Sequence, residues 1–326
     1  MNGVQSVCVD PSSNKVFVAD TSNHRVLRFS ATDALVNGSA AEVVLGQANF
    51  TSGTANRGTG TAANTMSSPY GLYEKSGRLW VSDRDNNRVL RFDNAASKAD
   101  GDNADGVLGQ AIFTSGTANR GTGTAANTMS NNRDVVEDSN GALFVLDRVN
   151  NRVLRFDNAA SKSDGADADG VLGQANFTAS SSDTTASTMK TPQGVAIDGS
   201  NGLYVYDSSN SRVLIFNSAS GKTDGDPADN VLGQADFISG TANPGGIAAN
   251  TLSGITRGWF DSNKGRLWVA DANNHRMLSN LNTDLIVSTT STATVIPTMP
   301  EWVMIIFMIL TGMMAVYKLK RIKISN

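Results

Sequence analysis

Apolar and polar residues alternate along this chain in short runs, and the runs recur in a fixed order. VQSVCVD at Val4, YGLYE at Tyr70, RDVVED at Arg133, QGVAID at Gln193 and RGWFD at Arg257 each lead, through a turn of Ser, Asn and Gly, into a second run: KVFVAD, RLWVSD, ALFVLD, GLYVYD and RLWVAD. Period-two alternation with β-branched and aromatic residues, bounded by turn formers, predicts strands joined by short hairpins. A third run, RVLRF and its relatives, follows, and a fourth centres on VLGQ, which starts at Val44, Val107, Val171 and Val231. Every second run ends in an acid: Asp20, Asp83, Asp147, Asp207 and Asp271, spaced 63, 64, 60 and 64 residues apart. Five positions later stands Arg25, Arg88, Arg152, Arg212 or Arg276. Four antiparallel strands in each of five units predict an all-β fold, a β-propeller whose small sheets bury their faces against one another. Five repeats are present; a six-bladed ring that has lost a blade fits the pattern as well. No stretch before Thr298 has a helical period, which excludes a parallel α/β sheet with its crossover helices.

The aromatic three residues before each acid, Phe17, Trp80, Phe144, Tyr204 or Trp268, is expected to pack, one per unit. A four-stranded blade takes ~40–45 residues, whereas this repeat is longer. The surplus lies after VLGQ, as in ANFTSGTANRGTGTAANTMSSP from Ala48. It reads as a surface loop pinned by Phe50, Phe113, Phe177 or Phe237, and residues 51–67 are repeated identically at 114–130. Following strand direction, the turn after each acid and this loop share one face, while the DGDNADG-type loops lie on the other. The last unit is imperfect: no VLGQ follows Arg276, and TDLIVS at Thr283 is the candidate for its fourth strand.

Charge and composition narrow the chemistry. The net charge is −3, and with no basic block in the first 290 residues a nucleic-acid partner is excluded. One cysteine, Cys8, rules out an intramolecular disulfide framework, and His24 and His275 occupy the same slot of the repeated turn, which argues against a histidine metal centre. The repeated Asp and Arg suggest a carboxylate ring for a cation or, structurally, an Asp that accepts turn amides and pairs with Arg. One job in every unit favours the structural reading. DGDNADG at Asp100, DGADADG at Asp164 and DGDPADN at Asp224 place carboxylates at alternate positions, but no bidentate Glu closes an EF-hand loop. No cofactor is expected, with calcium at these loops as the alternative. More informative are positions that refuse to repeat. At the entry to the first strand stand Tyr70, Arg133 with Asp134, Gln193, and Arg257 with Trp259 nearby. A funnel of Tyr, Gln and two Arg suits a carbohydrate or an anionic group.

With GVAID, LYVAD and NNRVLRF in register, residues 3–285 resemble NHL repeats, whose blades end their second strand in an Asp followed by a turn and an Arg. The long insertion and Asp134, where other units have Gly, depart from that pattern. Such propellers include protein-binding scaffolds, RNA-binding modules and a few enzymes, so the resemblance does not choose a function. The propeller is expected over 1–287, a Ser/Thr-rich linker over 288–297 and a sorting signal over 298–326. Within the last, 302–317 is apolar on every side, ~24 Å as a helix, and is followed by Lys318, Lys320, Arg321 and Lys323. This predicts a transmembrane helix with its basic end in the cytoplasm and the propeller outside. Ile296, Pro297, Thr298, Pro300, Glu301 and Trp302, then the span and the basic tail, resemble the IPTL-CTERM and PEP-CTERM sorting signals of bacterial surface proteins. That resemblance implies export, transient anchoring in the inner membrane, a sorting protease-like enzyme as partner, and an N-terminal signal peptide. Because the repeat begins at Val4, a longer precursor is expected. Two functions follow: a non-catalytic, cell-surface-associated propeller binding a protein or polysaccharide through its loop-bearing face, or an extracellular metal-dependent lyase or hydrolase with its site in the channel. No Ser/His/Asp set or glycine-rich phosphate loop supports the second.

Overall fold

A computed structural model describes residues 1–280 and 294–295, which form five four-stranded antiparallel sheets with their strands in sequence order. The first blade is β1 (Val4–Val9), β2 (Lys15–Asp20), β3 (Arg25–Ala31) and β4 (Val43–Leu45). The second is β5 (Pro69–Lys75), β6 (Arg78–Asp83), β7 (Arg88–Phe92) and β8 (Gly106–Leu108). The third is β9 (Asn132–Glu137), β10 (Leu143–Asp147), β11 (Arg152–Phe156) and β12 (Gly170–Leu172). The fourth is β13 (Gly194–Ile197), β14 (Leu203–Asp207), β15 (Arg212–Phe216) and β16 (Asn230–Leu232). The fifth is β17 (Ile255–Asp261), β18 (Arg266–Asp271), β19 (Arg276–Asn280) and β20 (Thr294–Val295). The last strand pairs with Leu278 and Ser279 and falls in the stretch read as a linker; TDLIVS lies outside the described residues. So do the expected membrane span, the sorting motif beginning at Ile296 and the basic tail. Among the described residues, no helix is long and apolar enough to cross a membrane.

Alternation along the strands gives each blade two apolar faces. Trp80 and Val89 of the second blade meet Leu143, Val145, Leu154 and Phe156 of the third, and Phe144 and Leu146 in turn meet Leu203, Val205, Leu214 and Phe216 of the fourth. Each such side chain contributes about 1.5–3 kcal/mol on full burial. Four of the five repeated aromatics are buried as expected; Trp268 is only half-buried and instead stacks on Trp259, with centroids 5.9 Å apart.

The repeated acid and arginine form a buried hub between β-strands and insertion. In the third blade Asp147 accepts from the Ser130 amide (2.7 Å), Asn150 Nδ2 (2.8 Å) and Arg152 Nε (2.8 Å). Arg152 then donates to the carbonyls of Ala125 and Thr128, in the insertion that leads into its blade, and of Phe177, in the next. Burial pushes the Asp147 carboxyl up, and Arg152 with the other donors pulls against it. The residue before each Arg lies in the left-handed region, at φ 54° for His24, 53° for Asn87 and 50° for His275, which accounts for the slot shared by His and Asn. His24 Nδ1 accepts the Ser68 amide, as Asn87 Oδ1 accepts that of Asn131.

The insertion is pinned differently from the sequence expectation. Phe50 is 40% exposed, while Met66, Met129 and Met189 are fully buried and Leu252 nearly so. Phe113, Phe177 and Phe237 pack only partly against the cores. The methionine sits against the glycine of VLGQ: at Gly109, with φ +85°, an added Cβ would lie 2.6 Å from Met129 Sδ. The adjoining Gln110 donates to the carbonyls of Asn87 and Thr117, tying turn to insertion. Nor are the insertion and the acidic loops segregated, since Arg57 donates to the Gly101 carbonyl and the Ala104 amide to the Ala63 carbonyl.

Candidate functional site

The five first strands surround a cavity of about 370 Å³, lined by residues of β1, β5, β9, β13 and β17. Its walls are mostly apolar, including Leu72, Val135, Val195 and Trp259, and the carboxylate of Asp134 and the guanidinium of Arg257 enter it. Arg257 Nη2 donates to Asp134 Oδ1 at 2.8 Å, and its Nη1 donates to the Gln5 carbonyl, linking the fifth blade to the third across the channel and to the first beside it. Gly71 and Gly194 make that crossing feasible. A Cβ on Gly71 would lie 2.5 Å from Asp134 Oδ1, and one on Gly194 would lie 3.1 Å from the Arg257 side chain. Asp134 therefore stands where the neighbouring units carry Gly71 and Gly194, which supply the space; the first unit has Ser6 at this position. Burial pushes its carboxyl up, opposed by Arg257 and by the Val195 amide, which donates to Oδ2.

The remaining non-repeating residues gather on this pair. Arg133 Nη1 donates to the Tyr70 hydroxyl (3.1 Å) and to Gln193 Oε1 (2.6 Å). The guanidinium carbons of Arg133 and Arg257 each lie 4.9 Å from the Tyr70 ring centroid, within cation–π range. All five predicted site residues, Tyr70, Arg133, Asp134, Gln193 and Arg257, thus form one connected cluster from four blades.

Two members escaped the sequence reading. Arg84 lies 5.3 Å from the Tyr70 centroid, and Arg148 is close enough to Arg133 to repel it. Burial is the largest reason that the Arg133 guanidinium is held below the usual arginine range; Tyr70 counteracts it, while Arg148, Arg84 and Arg257 add repulsion. Both new arginines directly follow the repeated Asp, where other units carry Thr21, Ser208 and Ala272. That substitution was the available clue.

The sequence-predicted carboxylate sets serve elsewhere. Asp83, Asp147, Asp207 and Asp271 each hold their own arginine at 2.6–2.8 Å, as does Asp20 with Arg25 at 2.7 Å. In the acidic loops, Asp100, Asp164 and Asp224 accept the amides of Val44, Val107 and Val171 in the preceding blade. Among the described residues, no group of three or more His, Cys, Asp or Glu is placed to hold a metal ion.

This arrangement defines a five-bladed, all-β propeller with a polar, arginine-rich channel mouth. Its units are NHL-like: the sequence model of the NHL repeat matches residues 1–29 and 190–216. No curated protein matches the chain in sequence. Among solved structures, it is similar to virginiamycin B lyase from Staphylococcus aureus, with 12% identity and a TM-score of 0.51, over 91% of this chain and 71% of that one. A chain of a nidogen/laminin complex is similar at 14% identity and a TM-score of 0.52, over 89% of this chain and 78% of that one. At such identities the likeness is one of fold, shared by an enzyme and by a member of a binding complex.

Proposed function

We propose that this is an exported, cell-surface-associated binding propeller that takes a protein or polysaccharide on its insertion-bearing face, with the contact centred on the channel mouth. Its action is binding and not catalysis, and it calls for no cofactor. The observation that supports the reading is the convergence of Tyr70, Arg133, Gln193 and Arg257, the residues that differ between otherwise repeating units. A common fastening role does not account for them, because that role is filled by the Asp–Arg hubs. In this reading the C-terminal segment passes through the inner membrane and is processed by a sorting protease-like enzyme, which leaves the propeller outside a bacterial cell.

The test combines location with binding. Fractionated native cells are expected to hold the protein at the surface or in the medium, and the full-length chain is expected to bind extracted surface polysaccharide or protein, with Tyr70→Ala reducing binding. Full-length protein confined to the cytosol, or Tyr70→Ala binding as well as the parent, would overturn it.

A further inference from the structure

The guanidiniums at the channel mouth are unequally paired. Arg84 meets Asp85 and Arg257 meets Asp134, each at 2.8 Å, whereas among the described residues neither Arg133 nor Arg148 has a carboxylate partner. Four guanidiniums against two carboxylates leave an excess of two positive charges in one patch. Arg148 Nε is shielded from solvent and has no hydrogen-bond partner. Nε of Arg28, Arg91, Arg155 and Arg266 is likewise without a hydrogen bond, but Arg28, Arg91 and Arg155 donate through Nη1 to carbonyls of the following blade, and Arg88, Arg152 and Arg212 are locked onto their acids. Arg133 engages Nη1 with Tyr70 and Gln193 and Nε with Asn131, and keeps Nη2 for a further acceptor.

Crowding like charges on a half-buried surface is unfavourable unless something offsets it. The Tyr70 ring offsets part, through its contacts with Arg84, Arg133 and Arg257. An incoming oxyanion would offset the rest, because planar guanidinium forks match the geometry of carboxylate, sulfate and phosphate oxygens. Around the cluster stand side-chain amides: Gln193 and Asn131 touch Arg133. Such groups suit sugar hydroxyls.

Building on the binding function proposed above, we infer that Arg133 and Arg148, steadied by Arg84 and Tyr70, receive one oxyanion of an acidic polysaccharide, the carboxylate of a uronic-acid unit or a sulfate ester. Arg257 is a positioning residue, committed to Asp134 and Gln5, and the unpaired arginines make the contact.

Calorimetric titration of the full-length chain tests this with four probes: a uronic-acid oligosaccharide, a sulfated one, a neutral oligosaccharide of equal length, and an oligoglutamate peptide. The expected result is binding of one acidic saccharide at least tenfold tighter than the neutral one, weakening as salt rises. Arg148→Gln and Arg133→Gln should each lower that affinity about tenfold with unchanged melting temperature. Lys264→Gln, in the β17–β18 turn, should leave it intact. Equal binding of acidic and neutral saccharides that still falls in Tyr70→Ala would overturn the oxyanion assignment while sparing the channel-mouth site. Binding of oligoglutamate alone would overturn the saccharide assignment, and absence of binding by every probe would overturn the inference.

Discussion

Removing one acid from a hub should unfold far more than a turn. Asp147 and Arg152 have no exposed side-chain surface, so Asp147→Ala strands a buried guanidinium and takes the acceptor from the Ser130 amide and the Asn150 side chain. Arg152 keeps its three carbonyl acceptors but loses its counter-charge. Breaking one side of such a pair costs ~3–5 kcal/mol, a large part of the ~5–15 kcal/mol that stabilises a typical folded protein. Asp157, 41% exposed beside Arg155, is the internal control; an exposed pair is worth ~0–1 kcal/mol. Urea unfolding followed by tryptophan fluorescence is the assay, since Trp80 packs in the same apolar cluster as Val145 and Leu154. The double variant Asp147→Ala/Arg152→Met removes the stranded charge and should lose less than the two single changes combined. A cost below about 1 kcal/mol for Asp147→Ala, or one equal to that of Asp157→Ala, would refute the reasoning.

Two further expectations rest on other parts of the fold. Burial, with the nearby charges of Asp10 and Glu137, pushes the Glu74 carboxyl up to about 7 from 4.5. The folded protein therefore holds that proton more tightly than the unfolded chain, and stability should fall as pH rises from about 4.5 to about 7. Glu74→Gln should recover about 1–2 kcal/mol at pH 8, after allowing for solvent screening, and nothing at pH 4; equal melting gains at both pH values would contradict it. Gly109→Ala should cost about 2–4 kcal/mol, from left-handed backbone strain plus overpacking against Met129. Adding Met129→Ala should restore part of that loss in thermal melts, and no restoration would show that contact with Met129 is not the cause.

Strand phase and the number of repeats were legible because every inward face repeats, and one misread unit would have stood out against four others; a six-bladed ring fitted the same pattern, and the five-bladed architecture comes from the structure. The hub was legible for the same reason: five copies of Asp, Asn and Arg at fixed offsets describe a fastening. The insertion was not, because Phe50 and Met66 recur equally well in their units, and only packing shows that Met66 is buried while Phe50 is exposed. The roles of Asp100, Asp164 and Asp224 were hidden for another reason: each acts on an amide more than fifty residues earlier, in a neighbouring blade. At the candidate site, departure from the repeat identified Tyr70, Arg133, Asp134, Gln193 and Arg257. The same rule applied to the repeated turn singles out Arg84 and Arg148, which the shared Asp and Arg of that turn mask by making the whole turn read as structural.

The central claim divides the arginines into fasteners and binders, and one paired measurement tests it. Arg152→Gln and Arg133→Gln remove the same charge from the same blade, one at the hub and one at the channel mouth. Thermal melting and acidic-oligosaccharide titration of both full-length variants should separate them: Arg152→Gln melts several degrees lower yet binds normally below its transition, while Arg133→Gln melts like the parent and loses about tenfold in affinity. The reverse pattern, or two variants that cannot be told apart, would contradict the account.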